Sequence, residues 1–313
     1  MIHQDNQQLR ELLSLPPIQP SASTAMAIPE MPPQEVVTGD QEIDTVLWLQ
    51  KVVATGNRGL IDKALEAAKQ IKTPMKDLGM RYANHIAKAT GNAFGAAFAS
   101  FGFGELEDQA KRSIQRAALR HEAISRFSTE EALFAELPAE RACRLALKRL
   151  KRDDFGMYDD AHARAQFEKR SELVPGTISD CLYAIEFWGH LYSLRNAVDW
   201  NFSDLPRGAY AHECYAFFML ADIRPRSREE AIAAFEHVLG SSRGDWAETD
   251  SILRNLVVSG WRGAAKDFAN RLINDLASLD DCYLSRESVE RAVEDVVQSF
   301  TAGTAQEASH ETI

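Results

Sequence analysis

The sequence predicts an all-α protein, an irregular array of many helices in two lobes. Apolar residues recur at about 3.6-residue spacing along most of the chain. Helix-start signals and glycine stops separate those stretches, and no segment alternates apolar and polar residues with a period of two.

Asp40 is placed to cap a first helix, with Ile43, Val46, Leu47, Leu49, Val52 and Val53 on its apolar face and Gly56-Asn57 as its stop. Leu60, Ile61, Leu65, Ala68 and Ile71 make a second stripe. Thr73-Pro74 opens a third helix, with Thr as cap and Pro at the first helical position, where its missing N–H costs nothing, and Gly91 closes it. Ala93 to Gly104 alternates small residues with four phenylalanines and reads as a buried helical turn with a tight glycine connection. A long helix follows from Glu105 to Phe127. Ser128 and Glu131 form a capping box for the next, and Leu137-Pro138 starts another that runs to Lys151.

Beyond it, helices are expected over Asp159–Ser171, over Cys181–Leu194 after a start at Thr177 and Asp180, and over Gly208–Leu220. Ser227 with Glu230 and Asp245 with Glu248 make further capping boxes, and Gly240 ends the helix between them. Ser259-Gly260 breaks the chain before Trp261–Leu276, and Ser285 caps a last helix carrying Val289, Val293, Val296 and Val297. No fixed-period repeat and no TPR or ankyrin signature is present, which argues against a regular solenoid.

Six of the eleven prolines fall within residues 1–40, so this segment is expected to be a disordered Pro-rich tail. Leu9, Leu12 and Leu13 nevertheless share one face of a short helix at Gln7–Leu13, which could be a tethered peptide that docks on a partner. The charge and glycine content of Asp153–Asp160 suggests an N-terminal lobe of 41–152 and a C-terminal lobe of 153–301, followed by a polar tail at 302–313.

The 313 residues carry 35 Lys and Arg against 46 Asp and Glu, a net charge of −11 that disfavours non-specific attraction to nucleic acid or anionic membrane. Their start has neither the basic nor the apolar region of a secretory signal. The longest uncharged run, Ala89 to Gly104, is 16 residues and rich in Ala and Gly, short of the roughly 20 apolar residues that a membrane span needs. A cytoplasmic protein without membrane insertion is the expectation. Cys143, Cys181, Cys214 and Cys282 form no CxxC pair and are expected to be reduced thiols.

Candidate chemistry is sparse, and neither an enzyme nor a cofactor is expected. Asp154-Phe155-Gly156 spells the kinase metal-binding triplet but lacks the catalytic loop that must precede it. Asp159, Asp160 and His162 could bind a metal, although Asp160 and His162 point to different sides of a helix and the aspartates suit a helix start. His212-Glu213-Cys214 fails the HExxH pattern because Ala stands at 216.

Two binding features remain. Arg141, Arg144, Lys148, Lys151 and Arg152, with Arg149 beside them, form a basic stripe opposite Cys143, Ala146, Leu147 and Leu150. With Lys111, Arg112, Arg116 and Arg120 of the long helix they could build a face for nucleic-acid phosphates or an acidic protein, or simply a solvated surface. Aromatic residues concentrate between Tyr183 and Phe218, where Trp188, Tyr192 and Trp200 are the candidate docking residues and the rest are expected in the core.

The phrases Val46-Leu47-Trp48-Leu49-Gln50, Ala54-Thr55-Gly56-Asn57 and Leu65-Glu66-Ala67-Ala68-Lys69-Gln70-Ile71-Lys72-Thr73-Pro74 resemble accessory proteins of broad-host-range conjugative plasmids, fertility-inhibition factors among them. The likeness covers about residues 41–127 and brings no catalytic residues. It implies a cytoplasmic protein that binds a component of a transfer or maintenance apparatus. For a fertility-inhibition factor, that partner would be the coupling ATPase of a rival plasmid's secretion system. The alternative is a DNA-associated maintenance or regulatory factor using the basic face.

Overall fold

The computed structural model describes residues 4–19, 30–92, 94–96, 100, 102–241, 243 and 246–258. Among them the chain is helical, with no strand. The helices are α1 (Gln7–Leu12), α2 (Gln41–Ala54), α3 (Arg58–Ala68), α4 (Met75–Thr90), α5 (Leu106–Phe127), α6 (Glu130–Phe134) and α7 (Pro138–Leu147). They continue with α8 (Asp160–Phe167), a 3-10 turn at Ser171–Leu173, α9 (Ile178–Val198), α10 (Arg207–Met219), α11 (Arg228–Gly240) and α12 (Ala247–Val258). The capping box at Asp245, the helices expected beyond Ser259, Cys282 and the tail at 302–313 lie outside the described residues.

The chain divides into two compact units that interleave in sequence. Unit 1 takes Met1–Leu15, Glu136–Tyr192 and Asp204–Ile313, and unit 2 takes Pro16–Ala135 and Ser193–Ser203. The expected boundary at Asp153 is not where they part. Its charges and glycine mark a surface turn instead, closed by the Asp153 carboxylate accepting from the N–H groups of Phe155 and Met157 at 2.9 and 2.8 Å.

Unit 2 is built on the helices the periodicity predicts. Asp40 caps α2 by accepting from the backbone of Glu42 and Ile43. Leu49, Val52 and Val53 then pack with Ile61 and Ala64 of α3 and Leu106 and Ala110 of α5. A second cluster joins Ile43, Val46 and Leu78 to Phe103, whose ring stacks on Tyr82 at 5.1 Å. Gly56 takes φ +70°, and a Cβ there would sit 2.7 Å from Ala117 Cβ on α5, so only glycine serves both turn and close approach.

Two expected starts in this region shift. Pro74, not Thr73, precedes α4, and the Thr73 hydroxyl donates to Glu42 at 2.9 Å. Ser128 is the positive-φ C-cap of α5, so the capping role passes to Thr129, which accepts from Ala132 N–H. The phenylalanine-rich segment is not uniformly buried: Phe103 is in the core, whereas Phe94 is exposed.

Unit 1 adds aromatic rings and buried polar groups to an aliphatic interior. Residues 1–40 do not behave as one tail, because Asn6 caps α1 and both Leu9 and Leu13 are buried. Asp180, itself buried near the start of α9, accepts from the N–H groups of Asn6 (2.7 Å) and Gly176 (3.0 Å) and from Arg10 Nε (2.7 Å). Asn6 also donates to the carbonyls of Ser171 and Val174. A Cβ on Gly176 would meet the Gln4 carbonyl at 2.6 Å, so glycine is required for the N-terminal segment to lie this close. The tethered helix therefore docks on its own chain.

Candidate partner-binding surfaces

The residues with chemical potential are committed to structure. Trp188, a predicted docking residue, is fully buried in unit 1 and donates its indole N–H to His212 Nδ1 at 3.1 Å. The other nitrogen of His212 donates to the Leu173 carbonyl at 2.9 Å, which assigns the neutral Nε2–H tautomer. Phe167 stands edge-on to the imidazole at 5.1 Å. Burial pulls the His212 pKa down to about 4, partly opposed by the Leu173 bond.

The neighbours of His212 diverge from it. Glu213 pairs with Arg243 at 2.7 Å, and Cys214 is buried on α10 with burial pushing its thiol up to about 11. Cys143 and Cys181 are likewise free and buried, with thiols raised by burial. The Asp159 carboxylate caps α8 through His162 N–H (2.9 Å) and holds the His162 ring at 2.6 Å, bonds that keep its carboxyl below the usual range. Among the described residues no group of three or more His, Cys, Asp or Glu could hold a metal ion. An open groove beside α1, lined by Glu11, Leu12, Pro138 and Glu172 among others, has a volume of about 580 Å³ and an acidic rim.

Unit 2 presents an aromatic surface around Trp200. α9 ends in a loop whose backbone is pinned by Asp199: its N–H donates to the Arg195 carbonyl, and its own carbonyl and carboxylate accept from Phe202 and Asn201. Asn196 donates to the Phe202 carbonyl at 3.1 Å. Arg195 is buried and donates to the carbonyls of Leu133 and Ala135, satisfying the end of α6. Its guanidinium also lies 5.8 Å from the Phe202 ring, and Phe202 packs on Phe134 at 5.7 Å. Within this rigid frame Trp200 remains 72% exposed. The Arg116 guanidinium covers its ring at 4.6 Å and is tied to the Ala197 carbonyl through Nε at 3.2 Å.

The basic residues separate into two kinds. On α5, Lys111 pairs with Asp108 at 3.1 Å, Arg112 with Glu105 at 4.0 Å and Arg120 with Glu130 at 3.9 Å, while Arg116 serves Trp200. On unit 1, Arg144 grips Glu136 through two bonds of 2.6 and 3.0 Å, which with Arg141 nearby keep the Glu136 carboxyl below its usual range. α7 ends at Leu147 rather than Lys151, so Lys148 and Arg149 lie in a turn and Lys151 and Arg152 lie outside any helix. All four are exposed, and none has an ion pair among the described residues. The single helical stripe expected over 141–152 is thus broken at Leu147: on α7 Arg144 is paired with Glu136, and the four cations that follow lie outside the helix.

Tyr192, the remaining docking candidate, is the last residue of α9 that belongs to unit 1 and is 37% exposed. No helix among the described residues is long and apolar enough to cross a membrane. Comparison with known proteins finds no family model, curated protein or solved structure that matches the chain. The sequence placed Arg116 in the basic face rather than over Trp200 and gave no sign of Arg195, since nothing local distinguishes either from a solvated helix arginine.

Proposed function

We propose that this chain is a non-enzymatic interaction protein that regulates or inhibits conjugative transfer by binding a component of the transfer apparatus, with Trp200 as an anchor. The observation that carries the binding role is an exposed tryptophan held in one geometry. A free indole of that size normally seeks burial, and fixing it in advance removes ordering cost from the encounter. Binding energy concentrates on such aromatic and arginine anchors. Commitment of His212, Glu213 and Asp159 to structural bonds supports the non-enzymatic side of the reading. Plasmid transfer enters from the phrasing of residues 46–74, and the favoured partner is a coupling ATPase of a conjugative secretion system.

The test uses the purified cytosolic part of such an ATPase on a biosensor surface, alongside mating frequency in cells. Trp200→Ala is expected to weaken binding by about tenfold or more and to restore mating. Unaltered binding and mating in that variant would end this reading. The alternative is a DNA-associated factor using a basic face; local ion pairs of Lys111, Arg112 and Arg120 shift its weight from α5 toward the cations on and after α7.

A further inference from the structure

The segment after α7 combines four cations with an aromatic side chain held outward. Leu150 is half-buried, with its N–H on the Leu147 carbonyl at 2.9 Å, and roots the segment to unit 1. Lys148, Arg149, Lys151 and Arg152 flank it in the chain, and all four are exposed. The chain then closes a tight turn: Asp153 and Met157 share a backbone bond of 2.9 Å, Gly156 N–H reaches the Asp153 carbonyl at 2.9 Å, and Gly156 adopts φ +77°. With the two bonds to the Asp153 carboxylate, four hydrogen bonds fix this turn, yet Phe155 at its tip is 84% exposed.

We propose that Lys148–Phe155 is a contact site for single-stranded nucleic acid, its cations meeting phosphates and the Phe155 ring stacking on a base. Two charged groups oppose it locally, Asp153 and Asp154, and the first has one oxygen engaged by the turn. Asp159 is held by α8 and His162. An exposed ring a few residues from a run of exposed cations is an arrangement that binds unpaired bases, whose faces stack with little regard to sequence. A duplex hides those faces and is read by an ordered helix or ribbon in its groove, whereas these cations begin where the helix has ended. An acidic peptide would engage the cations but leave the ring without a role. The net charge of −11 provides no long-range attraction, so the contact is short-range and weakened by salt.

The test is fluorescence anisotropy of the full chain with a labelled oligodeoxythymidylate, the same strand in duplex form, and polyglutamate as competitor. The single strand should bind more tightly than the duplex. Neutralising about four phosphates should give a log–log salt slope near −3. Phe155→Ala should weaken binding about five- to tenfold, the lower end of base-stacking effects. Phe155→Trp should retain it and show quenched indole fluorescence on binding. Phe94→Ala, removing another exposed ring, should change nothing, and unchanged circular dichroism confirms that the variants fold. Absence of single-strand binding at low salt would overturn the proposal. So would equal affinity for duplex, insensitivity to Phe155→Ala, or displacement by polyglutamate as readily as by unlabelled strand, the last pointing to an acidic protein instead. None of these outcomes depends on Trp200.

Discussion

The two units solve the same problem, stabilising a bundle of short helices, by different means. Unit 2 packs aliphatic side chains of α2, α3 and α5, and its ion pairs Lys69–Glu66, Lys111–Asp108 and Arg120–Glu130 join exposed groups on its surface. Unit 1 places polar groups inside: Asp180 beneath the N-terminal segment, and the Trp188–His212–Leu173 hydrogen-bond chain among rings. An aliphatic interior tolerates changes of polarity at its rim and suffers mainly from cavities. A polar interior depends on every partner staying in place and in the right protonation state, because an unmade buried bond costs its full desolvation.

The largest expected difference concerns the N-terminal segment. Leu9→Ala removes a fully buried side chain from unit 1 and should cost about 2–5 kcal/mol. It also loosens α1 over Asp180, whose bonds from Asn6 and Arg10 depend on that helix. Hydrogen exchange followed by mass spectrometry should show increased exchange across α9 up to Tyr192 and through α10. Unchanged exchange in those unit 1 peptides would mean that the segment only decorates the surface.

Acid separates the units next. The His212 pKa of about 4 in the folded protein lies below its ordinary value near 6.5, so between those limits the unfolded chain binds the extra proton. The stabilisation from keeping this imidazole neutral is complete above pH 6.5 and is lost progressively as pH falls toward 4, up to about 3 kcal/mol. His237 on α11, also lowered by burial and by Arg243, acts in the same direction. Thermal melts from pH 7 to 4 should show unit 1 peptides losing protection first, and His212→Gln should flatten much of that slope. An identical slope in this variant would refute the assignment.

That contrast also marks what was legible in the sequence. The unit 2 helices follow from local signals: Asp40 as cap, Gly91 as stop, and an apolar stripe from Ile43 to Val53. α9 shows the opposite case. It is apolar on nearly all sides, so no face could be read as interior and Trp188 passed for a surface anchor. The Arg10–Asp180 pair joins positions 170 residues apart, and periodicity carries no trace of it. Smaller errors were competitions between neighbours. Ser128 could have capped α6, but it was needed in a positive-φ conformation to end α5, and Thr129 took its place. Basic residues 141–152 fit one helix in projection, while the chain leaves the helix at Leu147, so the cations beyond it do not continue the stripe.

Glycine gives a sharper test inside unit 2. Gly56→Ala combines a left-handed backbone with a Cβ 2.7 Å from Ala117 Cβ and 2.9 Å from the Ser113 carbonyl. Strain and overpacking together should cost about 2 kcal/mol. Because the clash is against α5, the loss should appear as faster exchange in α2 and α5 without the pH dependence expected of unit 1. A loss restricted to the turn itself would show that α5 yields instead.

The smallest effect is the most informative about charge. Lys111→Ala breaks a pair with Asp108 in which both side chains are more than half exposed, and the stability change should stay below about 1 kcal/mol. If α5 presented a working cationic face, the same change would weaken nucleic-acid binding as strongly as Lys151→Ala. The opposite ordering is expected: a cation with a carboxylate neighbour gives up little on removal, whereas Lys151, with no ion pair among the described residues, is free to meet a phosphate. Measuring both variants against the same labelled single strand at two salt concentrations decides it. Equal losses would place the basic surface on both segments, and a loss confined to Lys151→Ala would tie it to the chain that follows α7.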